Sequence, residues 1–153
     1  MKHSDFVRHE TGHLLVSSFY RMGDITFAMD IEGVASLETE HGPRTPDEYF
    51  DMMLAGALGE LYEGPEGLGL PQILSGSNWL SLLSTETARL DLEILGPMLT
   101  RRAVLMSATR VQMILDKIHT SSNPKALEAL STAVEQIGPG QSFTIKHKAK
   151  VVH

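Results

Sequence analysis

The chain contains no cysteine, which excludes disulfides, a thiol nucleophile and every cysteine-based zinc or iron–sulfur site. Any metal must therefore be held by His, Asp or Glu. Positive charge is in the minority: 13 Lys and Arg face 19 Asp and Glu, for a formal net charge of -6. That is the wrong sign for affinity won by neutralising phosphates, so nucleic acid is not an expected partner. Long apolar runs are also missing, and nothing approaches the ~18 residues needed to cross a bilayer. Residues 1–6 show no basic segment leading into an apolar one, so the sequence predicts a cytoplasmic chain with no membrane attachment.

What is present is ordinary for a folded protein: 153 residues, 42% hydrophobic and 21% charged, the size and composition of one domain spanning 1–153. Ser4 can cap a helix over 5–21, which Gly23-Asp24 would end. Two β-rich runs, 25–31 and 34–39, flank Glu32-Gly33 and predict a hairpin. Thr45-Pro46-Asp47-Glu48 combines a capping hydroxyl, a proline at the first helical position and an acid three residues after the cap. The helix it opens repeats Phe50, Met53, Leu54, Ala57, Leu58 and Leu61 at helical spacing, so one face is buried. The glycine- and proline-rich stretch 64–77 reads as a long loop. Helical patterning returns over 78–95, 98–119 and 124–138, and 142–152 reads as a terminal strand or an ordered tail. The expected class is α+β and mainly helical, with a small β-hairpin or sheet and a C-terminal helical bundle.

Within the first helix lies His9-Glu10-Thr11-Gly12-His13, an H-E-x-x-H pattern. Helical positions i and i+4 project about 40° apart, so both imidazoles share a face and can reach one ion. Glu10 is placed to act on water at that ion without being a ligand itself. The plainer alternative puts both histidines on a semi-polar face, with Glu10 paired to Arg8 or solvent. Gly12 inside a helix costs about 1 kcal/mol relative to Ala, which a close approach of another backbone would explain.

The residues 9–16, the hairpin after them, and Leu54-Ala55-Gly56-Ala57-Leu58-Gly59-Glu60-Leu61-Tyr62-Glu63-Gly64-Pro65-Glu66 resemble the peptidase domain of FtsH-type ATP-dependent zinc metalloproteases. The order of elements is the same over roughly residues 1–95, and beyond them only helical character is shared. The resemblance implies a zincin-like fold, zinc bound by His9 and His13, Glu10 as catalytic base, and a third ligand from an aspartate opening a later helix. At that ligand the sequence departs from the family. One alignment of Ser75-Gly76-Ser77-Asn78-Trp79 puts Trp79 at the acid position, where zinc cannot be bound. Another keeps the acid as Asp91, at the expense of an insertion. Glu60, Glu63, or no protein ligand at all remain open beside Asp91. The plain reading of Asp91 is a solvated residue paired with Arg89 or with Arg101-Arg102. Glu60 reads either as a group orienting a histidine or as an ordinary exposed acid, the latter favoured.

Gly67-Leu68-Gly69 is no dinucleotide fingerprint, because Gln72 stands where a small residue is needed and no strand precedes it. Met22, Met52, Met53, Met98, Met106 and Met113 suit adaptable core packing. His41, His119, His147 and His153 read as surface residues in loops or tail, the basic run 146–150 as a solvated end, and Trp79 as a core or cleft-wall residue.

The function expected from these residues is zinc-dependent hydrolysis of a polypeptide substrate. The alternatives are an inactive peptidase-like fold that binds protein or metal, and a structural domain whose apolar surface forms an oligomer. With His9 so near Met1, the reading includes no attached ATPase or membrane anchor. Such a chain would cut flexible segments alone or work with a separate ATPase, as a monomer or homo-oligomer.

Overall fold

The structure, a computed structural model, describes residues 4–146. Helix α1 (Asp5–Phe19) starts where Ser4 Oγ accepts from the Val7 amide. It ends two residues earlier than its sequence pattern, because Arg21 (φ +56) and Gly23 (φ +79) turn the chain through left-handed conformations. The hairpin follows as β1 (Ile25–Met29) and β2 (Ala35–Thr39), paired antiparallel with Phe27 opposite Leu37. Helix α2 (Pro46–Leu61) opens on the expected Thr45 cap, whose hydroxyl accepts from the Glu48 amide at 3.1 Å.

The 64–77 stretch is not loop throughout: a single turn, α3 (Leu70–Ile73), buries Leu70 in the core. The continuous helix expected over 78–95 is instead two short ones, α4 (Trp79–Leu83) and α5 (Arg89–Leu95). A 3-10 turn (Gly96–Met98) leads to α6 (Arg101–Ser121), capped by Thr100. Then comes α7 (Pro124–Gln136), capped by Asn123. Of the terminal segment, β3 (Ser142–Ile145) is a strand, pairing antiparallel with β1 so that the sheet order is β2-β1-β3. The architecture is α+β and mainly helical with a small antiparallel sheet. Residues 147–153, including His147, His153 and most of the basic run, lie outside the described residues.

Helix α1 forms a wall between two apolar clusters. Val16 joins the larger one, with Leu54, Leu58, Leu83, Leu95, Val104 and Val111 from the later helices. Val7 and Leu14 join the smaller one, with Ile25, Phe27 and Val134. Each fully buried large aliphatic side chain contributes about 1.5–3 kcal/mol through removal from water, which favours holding α1 against both clusters. Its approach to α2 is close because Gly12 and Gly59 face each other. A Cβ on Gly12 would collide with the Ala55 carbonyl oxygen, and one on Gly59 would lie 2.8 Å from the Arg8 carbonyl oxygen. The helical cost of Gly12 thus has the cause expected for it.

The methionines divide. Met22 is buried and Met53 packs against the core, but Met98, Met106 and Met113 are exposed, so core packing does not describe those three. His119 lies in the last turn of α6, not in a loop, and its ring stands 5.1 Å from that of Tyr62. Among the described residues, no helix is long and apolar enough to cross a membrane.

Candidate metal centre

The face of α1 that carries His9 and His13 lies against α2 at a stripe of residues four apart: Met52, Gly56 and Glu60. Gly56 makes room for the imidazoles, since a Cβ there would collide with His9 and would sit 2.5 Å from His13 Nε2. The neighbours on either side of it fix the rings. His9 Nδ1–H donates to Glu60 Oε2 at 2.8 Å, and His13 Nδ1–H donates to the Met52 carbonyl oxygen, also at 2.8 Å.

These two bonds decide where the lone pairs point. A carbonyl only accepts, and Glu60, already receiving the hydroxyls of Thr85 and Thr87 at 3.1 and 2.8 Å, accepts as a carboxylate. Each neutral ring therefore carries its proton on Nδ1 and leaves Nε2 bare. The two Nε2 atoms lie 3.1 Å apart, and Asp91 Oδ2 lies 3.0 Å from the first and 2.9 Å from the second. Once the protons that bridge these atoms in the metal-free protein are lost, three electron-pair donors face one another in a triangle. A tetrahedral ion with bonds of ~2.0–2.1 Å spaces its ligand atoms about 3.3 Å apart, so a small expansion of the triangle accommodates one. His9, His13 and Asp91 form a group that could hold a metal ion.

Asp91 is brought there by α5, whose first turn it occupies. Its carboxylate engages the two histidines, not Arg89, Arg101 or Arg102. Burial works to raise the Asp91 carboxyl, yet the hydrogen bonds of His13 and His9 hold it well below the usual carboxylate range. Burial likewise works against the His9 imidazolium, but Asp91 and Glu60 push its pKa up to about 9 in the metal-free protein. Trp79 is not at the site; it opens α4 and packs, half-buried, on the larger core.

Glu60 is buried, at 7% exposure, so its favoured reading as an exposed acid is wrong. It bonds His9 Nδ1, outside the triangle, which is the orienting role weighed for it. Glu63 lies exposed past the end of α2. The pairing of Arg8 with Glu10 does not form: Arg8 donates instead to the Tyr62 carbonyl oxygen at 2.7 Å. Glu10 is half-buried, and its carboxyl is raised by burial, an effect opposed by the charges of His13 and His9.

Glu10, His9, His13 and Asp91 share a cavity of about 320 Å3 with Ser17, Met52, Met53, Thr87 and Leu90. Its remaining wall is Ala35, Ser36, Leu37 and Thr39 of β2. Because β1 is the central strand, β2 is an edge of the sheet, and its residues line the same cavity as the donor triangle. The Met52 carbonyl and Gly56 were missed in the sequence. Their signal was the four-residue spacing of Met52, Gly56 and Glu60, which repeats the spacing of His9 and His13.

In comparisons with known proteins the chain matches no family model, no curated protein and no solved structure.

Proposed function

We propose that this chain is a zinc-dependent metallopeptidase-like hydrolase of polypeptides. The observation that carries the reading is the donor triangle: two Nε2 atoms and a carboxylate oxygen converge within 3.1 Å, each imidazole held by its other nitrogen. Two nitrogens and one oxygen are a donor set suited to zinc with a position left open, as in catalytic sites. The resemblance of residues 9–16 and 54–66 to FtsH-type peptidases, and of α1 to a zincin helix, points the same way.

Zinc, when bound, supplies Lewis acidity, bringing the pKa of water toward ~7 and offsetting negative charge on a substrate carbonyl. His9, His13 and Asp91 are its holders, and Glu60 and the Met52 carbonyl keep the two rings in register. Glu10 accepts a proton from the attacking water and returns it to the leaving amine. The β2 edge offers unpaired backbone groups on which an extended substrate can lie, giving affinity with little sequence preference. Asp91 beside both histidines supplies the acid that the inactive alternative would lack, which supports the hydrolase reading.

The test is metal content with cleavage. Purified protein is expected to hold about one zinc per chain, lost in His9→Ala and His13→Ala. Glu10→Gln is expected to keep the zinc and to lose casein cleavage. A wild-type protein that binds zinc but cuts nothing would leave a binding module, and one that takes up none would end the proposal.

A further inference from the structure

On the side of α1 away from the donor triangle, the structure opens a second cavity, of about 330 Å3, where α1, the end of α2, α6 and α7 meet. It sits at the seam between the two apolar clusters: Val7 belongs to one, and Leu15 and Leu115 to the other. Helix geometry keeps it apart from the metal site, since Thr11 projects about 200° around the helix from His9.

The lining is selective in its chemistry. Val7, Leu15 and Leu115 supply apolar walls and Arg8 supplies nitrogen donors, while His119, also in the lining, gives its Nδ1–H to the Leu115 carbonyl oxygen. No Asp or Glu lines the cavity, although acids outnumber bases in this chain by 19 to 13. Arg8 spends one Nη2–H on the Tyr62 carbonyl oxygen, and among the described residues no carboxylate bonds it. A guanidinium has five N–H donors in a planar fork, so it retains donors matched to a carboxylate. Thr11, also in the lining, has a hydroxyl shielded from water and without a hydrogen-bond partner.

From this combination we propose that the cavity is a binding site for a small amphipathic carboxylate, a medium-chain fatty acid in chemical class. The head group lies at Arg8, and the chain lies against Val7, Leu15 and Leu115. The volume is at the lower end of the range of small-molecule pockets, which suits a chain of about eight carbons. The proposal does not depend on zinc or on hydrolysis.

The probe is octanoate, titrated into the full chain by calorimetry, with octanol and octylammonium as matched chains of zero and opposite charge. Octanoate is expected to bind at one site and to raise Tm, octanol to bind at least ten times more weakly, and octylammonium not at all. Arg8→Gln is expected to weaken octanoate at least tenfold. Ser131→Leu, which fills the cavity from α7, is expected to block it, with circular dichroism showing that both variants fold. Octanol binding as well as octanoate, or octanoate binding unchanged in both variants, would overturn the proposal. So would the absence of octanoate binding to the wild type at millimolar concentration.

Discussion

Glu60 Oε2 lies 2.8 Å from His9 Nδ1, and both side chains are buried. The same carboxylate accepts the hydroxyls of Thr85 and Thr87, in the segment just before the helix that bears Asp91. One acid therefore orients one candidate ligand and anchors the approach to another. Glu60→Gln keeps the shape but removes the charge that favours the Nδ1–H tautomer. Zinc affinity is expected to fall by about 10–100-fold with the fold intact, as read by competition with a chromophoric chelator. Unchanged affinity would show that Glu60 does not set the ring.

Gly56 gives a contrast in sterics. A methyl group at this position runs into both imidazoles, so Gly56→Ala is expected to abolish stoichiometric zinc and to destabilise the protein by about 1–3 kcal/mol. Gly42→Ala is the matched control: nothing lies within 4 Å of its Cβ position, and the change is expected to stay within about 0.5 kcal/mol. Urea unfolding of the pair, with metal analysis, checks both.

The charge state of the metal-free site predicts how zinc uptake depends on pH. His9, raised from its ordinary 6.5 to about 9, is protonated at pH 7.5 and must lose that proton to become a ligand. Calorimetry in buffers of different ionisation enthalpy is expected to show release of about one proton per zinc from His9. For the metal-free protein the sign is that of a raised group. The stability from His9 is fully present below pH 6.5 and is lost as pH rises through 9. Asp91, held low, acts in the opposite sense: its contribution is present above the ordinary carboxylate pKa and is lost as pH falls through its depressed value. The chelator-treated protein should therefore lose Tm between pH 7 and 9.5, and a flat profile there would contradict the assignment.

Asp51 is fully buried on α2 and receives Arg110 from α6 through two 2.8 Å bonds and the Tyr20 hydroxyl at 2.6 Å. Arg110→Met leaves that carboxylate without its cation. The expected loss is about 3–5 kcal/mol in chemical denaturation, while a loss under 1 kcal/mol would mean that Tyr20 and solvent suffice.

The parts of the fold that follow local rules were legible in the sequence. Ser4, Thr45-Pro46 and Asn123-Pro124 mark helix starts that the structure keeps, because a capping side chain satisfies nearby amides whatever the rest of the molecule does. The 78–95 stretch misled because its break is made at a distance. Its pattern is helical, but Thr85 Oγ1 accepts from the Ala88 amide in competition with continued helix, and the hydroxyls of Thr85 and Thr87 are held by Glu60, some 25 residues away. Glu60 misled for the same reason, since an acid at the edge of an apolar stripe looks exposed until its partners are known. The pairing of β3 with β1 joins residues more than 100 apart, as Thr26 and Thr144 show, and no local pattern specifies it. The spacing of His9 and His13 was visible, whereas which acid meets them depended on where α5 docks.

His9 and Asp91 are 82 positions apart along the chain. A cation gripping both would rivet a seven-residue helix, too short to persist alone, onto the wall formed by α1, closing a circuit through more than half of the molecule. Chelation would then do more than remove an ion. It would cut α5 loose, and backbone amides there should be the first to exchange with deuterated solvent.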